Sequence, residues 1–252
     1  MIWLRSGVAL GGLLALWHAA VVFWSLPPYI MPAPAGALRA IFDNHQMMLP
    51  HIVYSLQAFT TGLLLSICLS GALAVLLQAF PTLRQSLMPI LVFLRVIPFV
   101  AVAPILALLI GRNMGTSIVV VCMASIFPLL VNLLSGFSAA DRNVAALLTL
   151  YAASPAEMVM IARLPYALPY FFAGLKAAIP QAFLAVLIAE WLTGSKGLGF
   201  LILDTADNRQ TELLWGTVLV VTVISLSFLC VADSLQRLVA RRVPLSGADA
   251  AA

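Results

Sequence analysis

The chain is poor in charge. Lysine, arginine, aspartate and glutamate make up 9% of its 252 residues, and 63% of the residues are hydrophobic. Soluble proteins carry about 25% charged residues, so a soluble globular domain is excluded. A mean hydropathy of +1.09 points the same way. What remains is an integral membrane protein whose length suits about five to seven spans plus loops. The net charge of +4 comes from scattered basic residues rather than a cluster. It gives no sign of nucleic-acid binding, and a basic excess of this kind collects in cytoplasmic loops.

Other absences narrow the chemistry. Cysteine is scarce: Cys68, Cys122 and Cys230 all lie in apolar runs, and their odd number and spacing fit no metal site. They read as small core residues. There is no G-x-x-x-x-G-K-[ST], so this chain does not bind ATP through a P-loop, and there is no H-E-x-x-H. Gly197-Leu198-Gly199 is too short for a dinucleotide fingerprint and follows no strand. Gly136-Phe137-Ser138-Ala139 only superficially resembles a serine-protease motif: its base would have to be the distant His18, and Ser138 ends a helix. The chain is not read as an enzyme, and no cofactor or metal is expected.

Six apolar runs are present, at about 7–26, 52–78, 87–110, 115–137, 168–192 and 214–236. They are predicted to be the spans of one permease domain over 1–243, followed by a disordered tail at 244–252. The first run is about 20 residues long and holds Trp17, Phe23 and Trp24, so it reads as a retained span rather than a signal peptide. The Pro-rich connection 27–51 cannot be a span and contains a short amphipathic piece around Leu38 to Phe42, and the Gly-containing connection 193–213 reads as a loop. With the N-terminus inside, the inner side collects seven basic residues (Arg5, Arg84, Arg142, Arg163, Arg237, Arg241, Arg242) and the outer side four (Arg39, Arg112, Lys196, Arg209). Both termini and the 138–167 segment are then cytoplasmic.

Small residues recur every four positions at Gly62, Ser66, Ser70 and Ala74, at Gly7 and Gly11, and at Gly174, Ala178 and Ala182. Each stripe serves either packing within the chain or a subunit interface. Pro89, Pro98, Pro104, Pro128 and Pro180 predict kinks, either around a path or purely for packing.

Charges inside spans are expensive. Arg95 lies about nine residues into the third run, near the middle of a ~30 Å core at about 1.5 Å per residue. Lys176 is about as deep in the fifth. Each costs about 2.5–3.5 kcal/mol against lipid, so each faces the bundle interior or a wet cavity, or else snorkels to the interface. Two such cations favour an anionic solute. Glu190, beside Trp191, is either a gate residue or an interfacial carboxylate. Arg95, Pro98, Lys176 and Glu190 are the candidates for a translocation path.

Residues 138–169 interrupt this apolar pattern. They carry Asp141, Arg142, Glu157 and Arg163, are helical in pattern, and end in Leu164-Pro165 and Leu168-Pro169. The prolines are expected to stop the helix and set the angle into the next span. A polar helix between spans is a docking handle for a soluble partner.

Several runs together carry a resemblance. They are Ala153-Ser154-Pro155, Leu164-Pro165, Ala167-Leu168-Pro169-Tyr170, Gly174-Leu175-Lys176, Ala189-Glu190 and Gly197 to Ile202. Upstream, Leu94 to Pro98, Ala103-Pro104-Ile105 and Pro32-Ala33-Pro34 add to it. The chain resembles the membrane-permease subunit of bacterial ABC importers, in the branch that takes up nitrate, alkanesulfonates and taurine. The resemblance implies an all-α integral membrane protein with six transmembrane helices and a cytoplasmic coupling helix, the type I importer permease fold. It implies a cytoplasmic ATP-binding subunit contacting Ala152, Ala153, Ser154, Pro155, Glu157, Arg163, Leu164 and Pro165. It also implies an external or periplasmic solute-binding protein, a second copy of the chain, and a place in the inner membrane. The family's E-A-A signature falls on Ala146, Leu147 and Leu148, its glycine on Ala152 and its isoleucine on Ala162. The signature acid is therefore absent, and Glu157 and Arg163 are left to supply polar contacts. The rival reading is an ion-coupled secondary transporter using Glu190, Lys176 and Arg95; the lack of inverted repeats stands against it.

Overall fold

The computed structural model describes residues 2–96, 98–139, 142–154, 157–193 and 196–240. Every regular element among them is helical. The order is α1 (Ile2–Phe23), α2 (Pro34–Asp43), α3 (His45–Ala79), α4 (Pro81–Val96), α5 (Phe99–Ile110), α6 (Met114–Ser138) and α7 (Arg142–Leu150). A π-helical turn (Met158–Arg163) then runs into α8 (Leu164–Thr193), followed by α9 (Leu198–Asp207) and α10 (Thr211–Ala240). The expected tail at 244–252 and Pro155 lie outside the described residues, as does the side chain of Arg95.

Among the described residues four helices are long and apolar enough to cross a membrane: His45–Ala79, Met114–Ser138, Leu164–Leu192 and Thr211–Ala240. They contain four of the six expected spans. Helix α1 covers most of the expected 7–26 span with 22 residues, a length of about 33 Å.

The expected third span, 87–110, is not one helix. It is divided between α4 and α5, with Pro98 extended at φ −70°, ψ 111° as the N-cap of α5. Proline has no N–H to continue the ladder, and it pushes the preceding residue out of helical space. Arg95 therefore sits one residue before the end of α4, at a break between helices. The depth inferred for it from a continuous span does not hold. The 193–213 connection, expected to be a loop, contains α9. An apolar run, Leu198 to Leu203, gives that helix a face to bury, and Leu198, Gly199, Leu201 and Thr205 are buried.

Helix α6 is the central element. Gly62 of α3 lies so close to it that an added Cβ would stand 2.7 Å from Val121 and 2.8 Å from the Ile118 carbonyl. Gly174 of α8 makes a similar approach to Asn132 and the Pro128 carbonyl, each 3.0 Å from an added Cβ. Ser66, Ser70 and Ala74 complete the α3 stripe, and Ala178 and Ala182 the α8 stripe; all are buried. Both stripes thus pack within the chain, letting backbones approach closely where lipid offers no hydrophobic drive. Gly11, by contrast, has open space around it. Phe59, Phe183 and Phe228 lock α3, α8 and α10 together, with ring centroids 4.0, 4.8 and 5.7 Å apart. Cys122 and Cys230 are buried as expected, but Cys68 is exposed on the outer face of α3.

Candidate functional site

Two regions gather the functional side chains, one at each end of α8. At its C-terminal end Glu190 is fully buried. Its carboxylate accepts the Ser55 hydroxyl, at 2.7 Å to Oε1 and 2.8 Å to Oε2, and the Gly199 N–H at 2.9 Å. The Ser55 Oγ in turn accepts the Leu198 N–H at 2.8 Å. The first N–H groups of a helix lack partners within it and carry partial positive charge. Here Glu190, from a different helix, supplies the cap of α9. Gly197 enters that helix at φ +111°, in left-handed space, and a Cβ on it would lie 2.2 Å from the Glu190 Cδ. A Cβ on Gly199 would lie 2.1 Å from the Leu187 carbonyl. Both glycines are therefore required by close approach. His51 closes the knot, with Nδ1 3.1 Å from the Gly197 N–H that donates to it and the ring stacked on Phe200. Glu190, expected to line a path, is instead a buried clamp.

Lys176, expected to line the path, has a partner. Its Nζ lies 3.4 Å from Asp233 of α10, and the Arg237 guanidinium lies 3.0 Å from the same carboxylate. Two cations share one anion, and Lys176 stays about a third exposed. The sequence reading does not single out Asp233. Its signal was present: an acid inside an apolar helix, four residues before an arginine. Pro98 is exposed at the α4–α5 break.

The other region follows α6. Helix α7 ends with Ala152 in left-handed space at φ +51°. The Ala152 N–H donates to the Thr149 carbonyl at 3.1 Å, and the Ala153 N–H to the Leu148 carbonyl at 3.0 Å. This is the Schellman arrangement, which normally places glycine at that position. The family glycine falls on Ala152, so the backbone keeps the glycine's conformation without the glycine.

The chain then re-enters helix through a capping box. The Ser154 N–H and hydroxyl both donate to Glu157 Oε2, at 2.7 and 2.8 Å, and the Glu157 N–H returns to the Ser154 Oγ at 3.3 Å. The Ser154 N–H, then its hydroxyl, hold the Glu157 carboxyl below the usual carboxylate range. Glu157, expected to supply a polar contact to a partner, is exposed and also holds this turn. Prolines 165 and 169 do not stop the helix. Leu164 is helical and its N–H reaches back five residues to the Val159 carbonyl. The two prolines withhold donors, and the chain responds with a wider π turn rather than an end. From Glu157 to Thr193 the backbone is one continuous rod. Arg163 is half-buried at the end of the π turn, with Pro165 half-buried beyond it. Around the turn, large apolar side chains stand in the open: Leu150 is 85% exposed and Tyr151 77%, with Leu147, Met160 and Ile161 beside them.

The arrangement is that of a multi-pass helical permease with an exposed handle rigidly joined to one of its membrane helices. The chain belongs to the family of binding-protein-dependent transport system inner membrane components, whose model matches residues 62–244. It is similar to a probable ABC transporter permease protein of Haemophilus influenzae, 30% identical over 223 residues that cover 88% of this chain and 91% of the relative. It is similar to a formylaminopyrimidine transport permease protein of Halalkalibacterium halodurans, 29% identical over 69% of this chain and 70% of the relative. It is also similar to a nitrate import permease protein of Leptolyngbya laminosa, 32% identical over 64% of this chain and 58% of that one. The chain is thus a membrane permease subunit of an ABC transporter, as its resemblance implies, and a multi-pass protein of the inner membrane.

Proposed function

We propose that two copies of this chain enclose the membrane path of an ATP-driven importer. A cytoplasmic ATP-binding subunit grips the 139–163 segment, and an external solute-binding protein delivers the solute to the opposite face. Both termini are cytoplasmic in this reading. The observation that carries it is the unbroken backbone from Glu157 through the π turn to Thr193. A handle with exposed Leu150, Tyr151, Met160 and Ile161 cannot move without moving α8. Helix α8 packs along α6 through Gly136 and Gly174, so a shape change in the partner becomes a rotation of the packed pair. In place of the missing acid at Ala146, the grip is apolar and shape-based, centred on Leu147, Leu150 and Tyr151.

The solute is small and polar. The expectation of an anion rested on two cations inside the spans, Arg95 and Lys176. Lys176 is paired with Asp233, so charge alone no longer favours an anion over a heterocycle. The relatives carry both classes in their names, formylaminopyrimidine and nitrate. The molecule retained by the cognate binding protein on purification decides between them. Uptake in proteoliposomes tests the energy source. It should stop when ATP is omitted and persist when ion gradients are collapsed; uptake that follows the ion gradient instead supports the secondary-transporter reading.

A further inference from the structure

Gln181 stands out on α8. It lies three residues beyond the midpoint of the Leu164–Leu192 span, about 4.5 Å from the middle of the membrane at 1.5 Å per residue. Its side chain is exposed, and among the described residues it has no hydrogen-bond partner. The hydroxyls of the half-buried Thr60 and Thr222 and of the exposed Ser227 behave differently: each donates to a carbonyl four residues back on its own helix. A carboxamide has two donors and an acceptor to satisfy, and hydrocarbon offers none of them.

Its surroundings also differ from a lipid-facing surface. The exposed faces of α3 and α5 carry large apolar residues, Leu64, Leu65 and Leu69 on one and Leu108 and Leu109 on the other. The face of α8 with Gln181 carries Ala173, Ala177 and Pro180, all exposed, in a stretch bounded by the exposed Tyr170 before it and Leu184 after it. Large side chains suit lipid; a recessed strip of small ones around a lone carboxamide suits a water-filled space. Gly174, two turns before Gln181, packs on α6, so the strip runs beside that contact.

We infer that Gln181 lines the translocation path near the membrane midplane and hydrogen-bonds to the solute as it passes. This rests on the permease reading above. The carboxamide is uncharged and both gives and accepts hydrogen bonds, so it suits a polar solute with donors and acceptors on one edge.

The test is thiol accessibility in the complete transporter, with Cys68 replaced by serine and the buried Cys122 and Cys230 left in place. Gln181→Cys and Ala177→Cys, one turn apart on the same face, are treated with a membrane-impermeant cationic thiosulfonate. Leu108→Cys on the exposed face of α5 is the lipid-facing control. Both α8 variants should react at least about tenfold faster than the control, because the thiolate that reacts forms in water and not in hydrocarbon. The rate should change when the ATPase is trapped with nucleotide and vanadate. If Gln181→Cys and Ala177→Cys react only with a lipid-soluble maleimide, as the control does, the lining role is overturned. That result, in a complex that still holds its ATPase, leaves the permease reading standing. Failure of the unmodified chain to bind any ATPase removes the permease reading itself. Ala177→Cys changes little volume, so it keeps the test alive if Gln181→Cys does not fold.

Discussion

Glu190 and Ser55 are 135 positions apart in the chain and 2.7 Å apart in the structure, hydrogen-bonded in a fully buried site. Through them α3 and α8 jointly hold the first turn of α9. Ser55→Ala leaves the Leu198 N–H without its acceptor and removes one of the carboxylate's donors, the Gly199 N–H remaining, at a cost of about 1–3 kcal/mol. Gly197→Ala is expected to be worse, because it combines a left-handed backbone with a Cβ inside the carboxylate. Thermal unfolding in detergent should show a fall in Tm for Ser55→Ala and a larger one, or loss of the folded protein, for Gly197→Ala. A wild-type Tm for Gly197→Ala contradicts the clamp.

Ala152 offers the opposite kind of test. A non-glycine residue in left-handed space carries a penalty of roughly 1 kcal/mol that glycine does not. Ala152→Gly should therefore stabilise the turn after α7. Hydrogen exchange at Ala152 and Ala153, whose N–H groups close the Schellman arrangement, should slow in the variant. Faster exchange there means the turn is not left-handed at 152.

The Ser154–Glu157 box should respond to acid. The Glu157 carboxyl is held low when folded, so its contribution is fully present above the ordinary carboxylate range. It is lost as pH falls through the lowered value. Protection of the π turn, corrected for intrinsic exchange, should fall with acid in the wild type and stay flat in Glu157→Gln. A flat wild-type profile contradicts the box.

The Lys176–Asp233–Arg237 group predicts an asymmetry. Lys176→Met removes one of two cations, and Asp233 keeps Arg237 at 3.0 Å. Asp233→Asn leaves two cations facing each other inside the bundle. The second change should cost more, by about 1–2 kcal/mol, the smaller end of the range for a part-exposed pair. The comparison is of detergent Tm values; equal losses contradict a shared anion.

Much of this was readable from the residues. Small residues every four positions at Gly62 to Ala74 and Gly174 to Ala182 identified faces that do pack within the chain, since close approach leaves few other residue choices. The Leu164-Pro165 ending located the handle. What it does to the helix was not readable, because a proline's missing donor is met either by a break, as at Pro98, or by a widened turn, as before Pro165. The neighbouring helices choose between them. Glu190 looked like a path residue because its partners, Ser55 and the N–H groups of Leu198 and Gly199, come from segments that only the fold brings together. Ser154-x-x-Glu157 had the spacing of a capping box in plain view, yet its charge suggested a partner contact first.

In the proposed function an ATP-binding subunit grips the apolar handle between α6 and α8. The direct measurement is co-purification of that subunit with Leu150→Asp and Tyr151→Ala. Both side chains are exposed in this chain, so the variants should keep a wild-type Tm while the bound ATPase falls by about tenfold or more, as loss of an interface anchor does. ATPase recovered with both variants at wild-type yield would contradict the account.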